Sequence, residues 1–475
     1  MTPSETHIGG SLMGFVHRRR RGAELFLLVL ALAVGIGAYA AVGLGVEGVV
    51  PTDLVGYGGW LTALIVAAHV AVRLVAPYAD PVLLPLVAAL NGLGLAVIHR
   101  LDLTYEALGE DNYTFARQQL TWMTLGVVLF IAVLVLLRDH RFLQRFTYTA
   151  GLLGIVLLLL PFIPGIGLNI NGARIWIRFA GFSFQPGEVA KVLLVIAFSG
   201  YLVLHRDALA LAGRRVVFVD LPRGRDLGPI LAMFGVSMMI LVLQNDLGSS
   251  LLFFGLFLAM LYVSTERPGW LVVGGLLFGA GALAAYTFVG NVQNRFNFWL
   301  HPFDYYDASP GSYQPVEALF GMGWGGLIGR GLGNGFPERI TYAESDYIIA
   351  AIGEELGLTA VMAVILCYGL IVERALRIAL ISRDGFGKLL ALGLGSIVAL
   401  QVFVVIGGVT GLIPLTGLTT PFLSYGGSSL VANWVIIALL LRISDQARRP
   451  APRLDPVDET GTESDSETTQ VVKLR

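Results

Sequence analysis

The sequence predicts an all-α polytopic membrane protein. Of its 475 residues, 55% are hydrophobic and 14% are charged, a balance that excludes a soluble globular domain. Apolar runs of about 17 to 25 residues recur along the chain, which is the length an α-helix needs to cross a hydrocarbon core of about 30 Å. The net charge of −1 gives no indication of nucleic-acid binding.

About twelve membrane spans are predicted. They lie near residues 25–46, 58–76, 83–98, 120–137, 147–163, 188–204, 228–243, 248–264, 269–289, 346–372, 387–408 and 425–442. The first two look like an addition to a body of ten spans. The first run is too long for the apolar part of a signal peptide and lacks a cleavage site, so we expect it to remain as an anchor.

The distribution of Lys and Arg predicts the orientation, because short cytoplasmic loops carry an excess of both. One alternating set of segments holds most of them: Arg18–Arg21, Arg73, Arg138, Arg141, Arg145, Arg206, Arg214, Arg215, Arg223, Arg225, Arg374, Arg377, Arg383, Lys388, Arg442, Arg448 and Arg449. Both termini are therefore predicted to be cytoplasmic. The large connection 290–345, between the ninth and tenth spans, then faces outward.

Composition divides the chain into four predicted regions. Residues 1–24 form a basic cytoplasmic leader, and residues 25–80 hold the two added spans. Residues 81–445 form the main membrane domain. Residues 446–475 are rich in Pro, Ser, Thr and acidic residues with little to bury, so we expect a disordered cytoplasmic tail.

The connection 290–345 is the first candidate for chemistry outside the membrane. Long connections without obvious secondary structure, as this one is predicted to be, are usually functional or disordered. Six ionisable residues lie in it: Asp304, Asp307, Glu317, Arg330, Glu338 and Arg339. The carboxylates of Asp304 and Asp307 are the leading catalytic candidates.

A second candidate is the segment NGARIWIRFAGFSFQPGEVAK. Pro186 suits the first position of a helix, and Glu188 then lies in the first turn, where the helix dipole favours an anion. Lys191 follows three residues later on the same face and can pair with it. This is either a structural ion pair or, with Arg174 and Arg178, a cation cluster suited to a phosphate or pyrophosphate headgroup.

Two further acidic segments lie at predicted span boundaries. Gln244 and Asp246 occupy a tight turn in LQNDLGSS, where Asp246 is a helix N-cap or a site residue. Asp346 opens the tenth span, again as a cap or a site residue. Glu354 and Glu355 lie about two turns deeper, where charges are costly and often functional; the structural alternative makes them partners of buried amides or basic groups.

The segment LIPLTGLTTPFLSYGGSS is predicted to line a cavity. Pro414, Pro421, Gly426 and Gly427 interrupt helical continuity beside the outer face. Broken backbone at membrane depth is tolerated only where it is buried in protein or lines a cavity.

Together these segments resemble the SEDS family (shape, elongation, division, sporulation), whose members include RodA and FtsW. The resemblance covers about residues 83–445 and is closer to the RodA branch. It rests on Phe184-Gln185-Pro186, Glu188, Lys191, Gln244–Gly248, Asp346-Tyr347, Ile352–Gly357, Gly411, Pro414–Gly417, Pro421, Ser424–Ser429 and Asn433.

The resemblance implies a ten-span peptidoglycan glycosyltransferase that polymerises lipid II into glycan strands for cell elongation and releases undecaprenyl pyrophosphate. It implies a bacterial cytoplasmic (inner) membrane location, an extracytoplasmic active site and membrane-lipid contacts. The implied protein partner is a class B penicillin-binding protein, a transpeptidase that crosslinks the product. Three alternatives stay open: an FtsW-like division polymerase, a lipid II flippase and a scaffold. A flippase would need polar groups near the midplane, whereas here they cluster toward one face.

The family's essential outer-loop Asp falls in a pattern like N-P-x-x-D-P-x-G-x-G-Y-Q, and this chain reads HPFDYYDASPGSYQ. Counting back from Tyr313 selects Asp307. Counting forward from Pro302 ends at Tyr305, beside Asp304. The resemblance therefore implies Asp307 as the catalytic base, with Asp304 as the alternative.

The implied reaction joins a sugar 4-hydroxyl to an anomeric carbon, so it needs a base and cations that offset the charge on pyrophosphate. Arg174, Arg178 and Lys191 are the candidate cations. Supporting residues either position these groups or bind a divalent cation, Mg²⁺ or Mn²⁺; they are Glu188, Gln244, Asp246, Asp346, Glu354, Glu355 and Ser428. No other cofactor and no dedicated metal site is expected.

Overall fold

The computed structural model describes residues 21–109, 113–170, 172–179, 182–206, 214–216, 219–221 and 224–450. Most of the predicted basic leader and most of the predicted tail lie outside the described residues. The described chain forms fourteen α-helices, five short strands and four short 3₁₀ segments. The prediction of an all-α architecture therefore holds for the bulk of the chain.

The helices run in this order: α1 Arg21–Val46, α2 Leu54–Val75, α3 Leu83–Ala107, α4 Phe115–Leu136, α5 Thr147–Leu159, α6 Pro186–Leu204, α7 Gly224–Leu243, α8 Leu247–Thr265, α9 Gly269–Phe288, α10 Gly290–Leu300, α11 Tyr313–Gly325, α12 Ile348–Ile381, α13 Gly385–Val409 and α14 Gly427–Arg448. Within the described residues, eleven helical segments are long and apolar enough to cross a membrane. The span predicted at 228–243 corresponds to a shorter apolar stretch, Gly228–Leu243.

Two antiparallel sheets were not predicted. One contains β1 (Gly167–Ile170), β2 (Ala173–Phe179) and β3 (Phe182–Phe184), and the other contains β4 (Arg214–Val216) and β5 (Val219–Leu221). The sequence ARIWIRF of β2 alternates along the strand, so Arg174, Trp176 and Arg178 share one face. Isoleucine and aromatic residues are enriched in strands, which accounts for the hairpin.

The connection 290–345 is structured, so the prediction that it lacks obvious secondary structure was wrong. It holds α10, α11 and 3₁₀ segments at Pro302–Tyr305 and Pro337–Arg339. The two helices have 11 and 13 residues. They are too short to cross the membrane and therefore give no span signal.

The N-terminal helices pack directly on the body of the protein. A Cβ atom added at Gly35 of α1 would lie 2.8 Å from the Cα of Gly92 in α3. Small residues permit such close approach of two membrane helices. The α1–α2 pair is therefore an integral layer of the bundle.

Helix α12 is interrupted at Gly357, whose φ of +77° is outside the helical region. The connection from α11 supplies hydrogen bonds at the break: the amide of Leu358 donates to Gly326 O (2.9 Å), and the amide of Arg330 donates to Glu354 O (3.1 Å). A Cβ at Gly357 would lie 2.4 Å from the amide nitrogen of Gly329. Glycine is therefore required by both the backbone angle and the contact.

Candidate active site

A cavity of about 680 Å³ lies at the end of the bundle that carries the connection 290–345. We call it the central cavity. Among its lining residues are Trp176, Gln185, Glu188, Asp246, Glu344, Asp346, Gly417, Thr419, Tyr425, Gly426 and Gly427. Three of the predicted acidic residues thus come together in one site. The segment between α13 and α14 forms part of its lining, which confirms the predicted cavity wall.

Glu188 and Lys191 form the predicted ion pair at the start of α6. The helix begins at Pro186, and Lys191 Nζ lies 2.5 Å from Glu188 Oε2. Both side chains are buried. Lys191 Nζ also donates to Gln401 Oε1 at 2.9 Å, and the Gln401 amide donates to Thr419 O at 2.8 Å. Glu188, which lines the cavity, is thus linked through Lys191 and Gln401 to the segment between α13 and α14.

Arg174 and Arg178 are exposed on β2. They lie on the same strand face as Trp176, which lines the central cavity. Lys191 is instead buried against Glu188 and Gln401. The arginines therefore offer guanidinium groups to a ligand from water, whereas the lysine neutralises an acid inside the protein. The assignment of these cations to pyrophosphate stays a prediction.

Asp246 caps helix α8, as one of the two interpretations predicted. Its Oδ1 accepts a hydrogen bond of 2.9 Å from the amide of Ser249. Burial raises the pKa of the Asp246 carboxyl above its ordinary value. The neighbouring Gln244 is also structural, since its side-chain amide donates to Leu158 O at 2.5 Å.

Asp346 is not a helix cap. Helix α12 begins at Ile348, and its N-cap residue Tyr347 makes no side-chain capping bond. Burial raises the pKa of the Asp346 carboxyl to about 6, and the charge of Glu344 adds to this effect. The Asp346 side chain therefore lines the cavity and does not cap the helix.

Arg295 of α10 is a basic residue at this site that the sequence analysis missed. Its guanidinium donates to Leu415 O at 3.0 Å and acts electrostatically on both Asp246 and Asp346. It opposes the rise in the pKa of Asp346. A lone Arg in the polar segment NVQNRFNFWL was the available signal.

Glu354 and Glu355 belong to a different cluster, where a backbone amide and a basic residue are their partners, as the structural alternative expected. Glu354 Oε1 accepts from the amide of Phe336 at 2.7 Å, and Glu355 Oε1 lies 2.5 Å from Arg100 Nε. Arg100 also contacts Glu338 at 3.1 Å. The sequence analysis missed Arg100, which follows an apolar run in α3.

Ser428 lies in the first turn of α14, where its Oγ accepts from the amide of Gln185 at 2.9 Å. This bond ties the residue before α6 to the first turn of α14. Ser428 therefore supports the cavity lining, in keeping with its predicted supporting role.

The two candidate bases lie on one exposed turn outside the central cavity lining. Asp304 and Asp307 are both exposed. Between them, Tyr306 donates its hydroxyl to Glu317 at 2.6 Å, and the amide of Ser312 donates to Tyr305 O at 3.0 Å. The turn is thus braced while both carboxylates face water. The geometry leaves the choice between them as a prediction.

The described residues hold no group of three or more His, Cys, Asp or Glu side chains arranged to bind a metal ion. Of the acids that line the central cavity, Glu188 pairs with Lys191, Asp246 accepts from Ser249, Glu338 pairs with Arg100, and Asp346 lies in the electrostatic field of Arg295. A divalent cation at this site stays a prediction, and the chemistry below uses no such ion.

Residues 81–449 match the family model described as cell cycle protein, which is labelled for FtsW, RodA and SpoVE. The chain belongs to this family. It is 48% identical to the peptidoglycan glycosyltransferase RodA of Mycobacterium tuberculosis, over 94% of this chain and 95% of that protein. It is 32% identical to the probable peptidoglycan glycosyltransferase FtsW of Geobacter metallireducens, over 78% of this chain and 95% of that protein.

The family's fold is also found among solved structures. A chain from a peptidoglycan synthase complex that coordinates polymerization and crosslinking superposes with a TM-score of 0.60 at 24% identity, over 78% of this chain and 98% of that chain. The predicted SEDS resemblance and its RodA branch are therefore confirmed, and the chain is a multi-pass membrane protein. The match to the mycobacterial protein covers 94% of this chain. The residues outside the match are too few to include both α1 and α2.

Proposed function

We propose that this protein is a peptidoglycan glycosyltransferase of the RodA type, which polymerises lipid II during cell elongation and releases undecaprenyl pyrophosphate. The observation that carries the proposal is the convergence of Glu188, Asp246 and Asp346 on one cavity at the end that bears the large connection. The 48% identity to proteins named for this activity supports it.

The proposed base is Asp307, with Asp304 as the alternative. An exposed carboxylate can accept the proton of an acceptor sugar hydroxyl that comes within hydrogen-bond reach. The 4-hydroxyl oxygen then bonds to the anomeric carbon of the growing strand. The bond from that carbon to the pyrophosphate oxygen breaks, and the polyprenyl pyrophosphate leaves with the electron pair.

The charge that develops on the leaving pyrophosphate needs cations. The guanidinium groups of Arg174 and Arg178 are exposed on the face of β2 that also carries Trp176, and arginine binds phosphate groups in a bidentate manner. Lys191 acts through Glu188, which it holds at the cavity lining.

The proposed orientation has both termini in the cytoplasm and the connection 290–345 outside, since the Lys and Arg residues concentrate in the alternate loops. The proposed partner is a class B penicillin-binding protein that crosslinks the product. A solved structural relative comes from a complex that couples these two activities.

The test uses purified protein with its partner and labelled lipid II in proteoliposomes. A polymerase yields glycan chains of many repeats. Exchange of lipid II between leaflets without chains would contradict the proposal and favour a flippase. Chain formation that survives simultaneous loss of Asp304 and Asp307 would favour a scaffold that recruits another polymerase. The acids of the central cavity lie at one end of the bundle, whereas a transporter needs polar groups at the midplane.

A further inference from the structure

A second cavity, of about 560 Å³, lies between the N-terminal helix pair and the body. We call it the N-terminal cavity. Helices α1 to α4 and the segments beside them contribute its lining, which includes Tyr39, Asp53, Tyr57, Trp60, His99 and Glu106. Its volume lies within the range of about 300–1,000 Å³ that is typical of ligand sites. The chemistry of the central cavity does not use it.

One wall of this cavity is a rigid column of rings. Tyr39 stacks on Tyr57 with ring centroids 3.8 Å apart, and on His99 at 4.3 Å. The hydroxyl of Tyr39 donates to Asp53 Oδ2 at 2.7 Å. These contacts fix the ring positions before any ligand binds, so little rotamer freedom is left to lose on binding.

The hydroxyl group of Tyr57 is buried and has no hydrogen-bond partner in the structure. The side chain is 9% exposed and lines the N-terminal cavity. A buried hydroxyl without a partner carries a desolvation penalty that a bound polar group can remove. This group is the second, independent indication of a ligand, beside the shape of the cavity.

The charges in the lining indicate the ligand class. The lining holds Asp53, Asp102 and Glu106 against a single Arg117, and this acidic excess disfavours phosphate and pyrophosphate. Both oxygens of Asp102 already accept from backbone amides, so Glu106 and the second oxygen of Asp53 are the carboxylate acceptors for ligand hydroxyl groups. The indole of Trp60, 51% exposed at the lining, offers an apolar ring surface. Uncharged rings that carry several hydroxyl groups, which are sugars, match this combination.

The N-terminal cavity adjoins the central cavity, because Tyr113 lines both. Phe115 lies 5.1 Å from Tyr113 and 4.9 Å from Tyr425, measured between ring centroids. The boundary between the two cavities is therefore aromatic. A saccharide chain can pass along such rings without leaving charged groups unpaired.

We propose that the N-terminal cavity binds sugar units of the glycan strand after they leave the central cavity. This inference rests on the proposed polymerase function and assigns a role to the added helices α1 and α2. The site is proposed to take no part in bond formation. Its expected effect is to retain the strand between successive additions.

The first test measures binding directly and does not depend on polymerase activity. The probe is the tetrasaccharide of β-1,4-linked N-acetylglucosamine, titrated into the full-length protein in detergent. Tyr57→Phe removes one hydroxyl and is expected to weaken binding about threefold to tenfold. Trp60→Ala is expected to weaken it by at least about threefold. The control Tyr148→Phe changes an exposed tyrosine of α5 outside the lining and is expected to bind normally.

Equal binding by Tyr57→Phe, Trp60→Ala and the control would overturn the proposal. A second combination of results would also overturn it: micelles of ethanolamine phospholipid displace the probe, and Tyr57→Phe binds the probe as tightly as the parent. That combination would assign the cavity to a lipid ammonium group. A second readout separates this inference from the proposed function. In the lipid II assay, both variants are expected to start chains at the normal rate and to release shorter chains. A protein that makes no chains but still binds the probe through Tyr57 would refute the polymerase and leave the sugar site standing.

Discussion

At the scale of single residues, Asp346 is the acid with the clearest pH signature. Its folded pKa of about 6 exceeds the ordinary value of 3.8, because burial and the nearby Glu344 both favour the protonated form. The folded state therefore binds the proton more tightly than the unfolded state. The stability that this group contributes is present below pH 3.8 and is lost as the pH rises through about 6.

Asp346→Asn keeps the neutral form at every pH. We expect the variant to gain stability over the parent as the pH rises from 4 to 7, by about 1–3 kcal/mol, because one pKa unit corresponds to about 1.4 kcal/mol. Thermal unfolding at several pH values, followed by the intrinsic fluorescence of the seven tryptophans, measures this. A constant difference between variant and parent across that range would contradict the assigned shift.

Short-range pairs at this scale were predictable from the sequence, and long-range pairs were not. The Glu188–Lys191 contact follows from a spacing of three residues on one helix. The partners of Lys191 and Glu355 include Gln401 and Arg100, which are 210 and 255 residues away. No local pattern indicates which distant residue completes a buried charge, so Arg100, Arg295 and Gln401 emerged only from the packing.

At the scale of elements, Arg100 fastens the large connection to the bundle. From α3 its guanidinium reaches Glu355 in α12, Glu338 in the connection and the carbonyl oxygen of Gly335 at 2.6 Å. The same connection also forms backbone hydrogen bonds with α12 on both sides of the break at Gly357. Arg100 therefore holds the part of the connection that follows α11 against α3 and α12.

Arg100→Met is expected to destabilise the protein by about 3–5 kcal/mol, because it leaves the Glu355 carboxylate buried without its cation. The matched control is Arg377→Met, which breaks an exposed pair with Glu373 and is expected to cost no more than about 1 kcal/mol. Thermal unfolding of both variants tests this. Similar losses of stability in the two variants would show that the Arg100 cluster stabilises the protein no more than an exposed ion pair does.

The elements themselves differ in how well the sequence predicts them. Long apolar runs gave the positions of the membrane helices, because length and hydrophobicity are properties of one segment alone. The strands β1 to β3 and the helices α10 and α11 are short and lie in segments between the predicted membrane spans. Their stability comes from packing against the bundle, which is a property of the assembled protein.

At the scale of the whole molecule, buried and exposed charges meet at the end with the large connection. Arg100 and Glu355 form a buried pair that also contacts this connection, while Asp304 and Asp307 lie exposed on it. The prediction of a cavity wall between α13 and α14 was confirmed because proline and glycine interrupt that segment regardless of its surroundings. The added helices α1 and α2 extend the same end with a second cavity.

We propose that this end of the molecule polymerises lipid II with Asp307 as the base. The most direct measurement is the rate of glycan-chain formation by the purified protein with its partner, compared among the parent, Asp307→Asn and Asp304→Asn. The two variants change equally exposed carboxylates on one turn and are expected to fold alike. We predict that Asp307→Asn lowers the rate at least about 100-fold and that Asp304→Asn retains most of it. Parental rates in Asp307→Asn, with normal folding, would contradict the account.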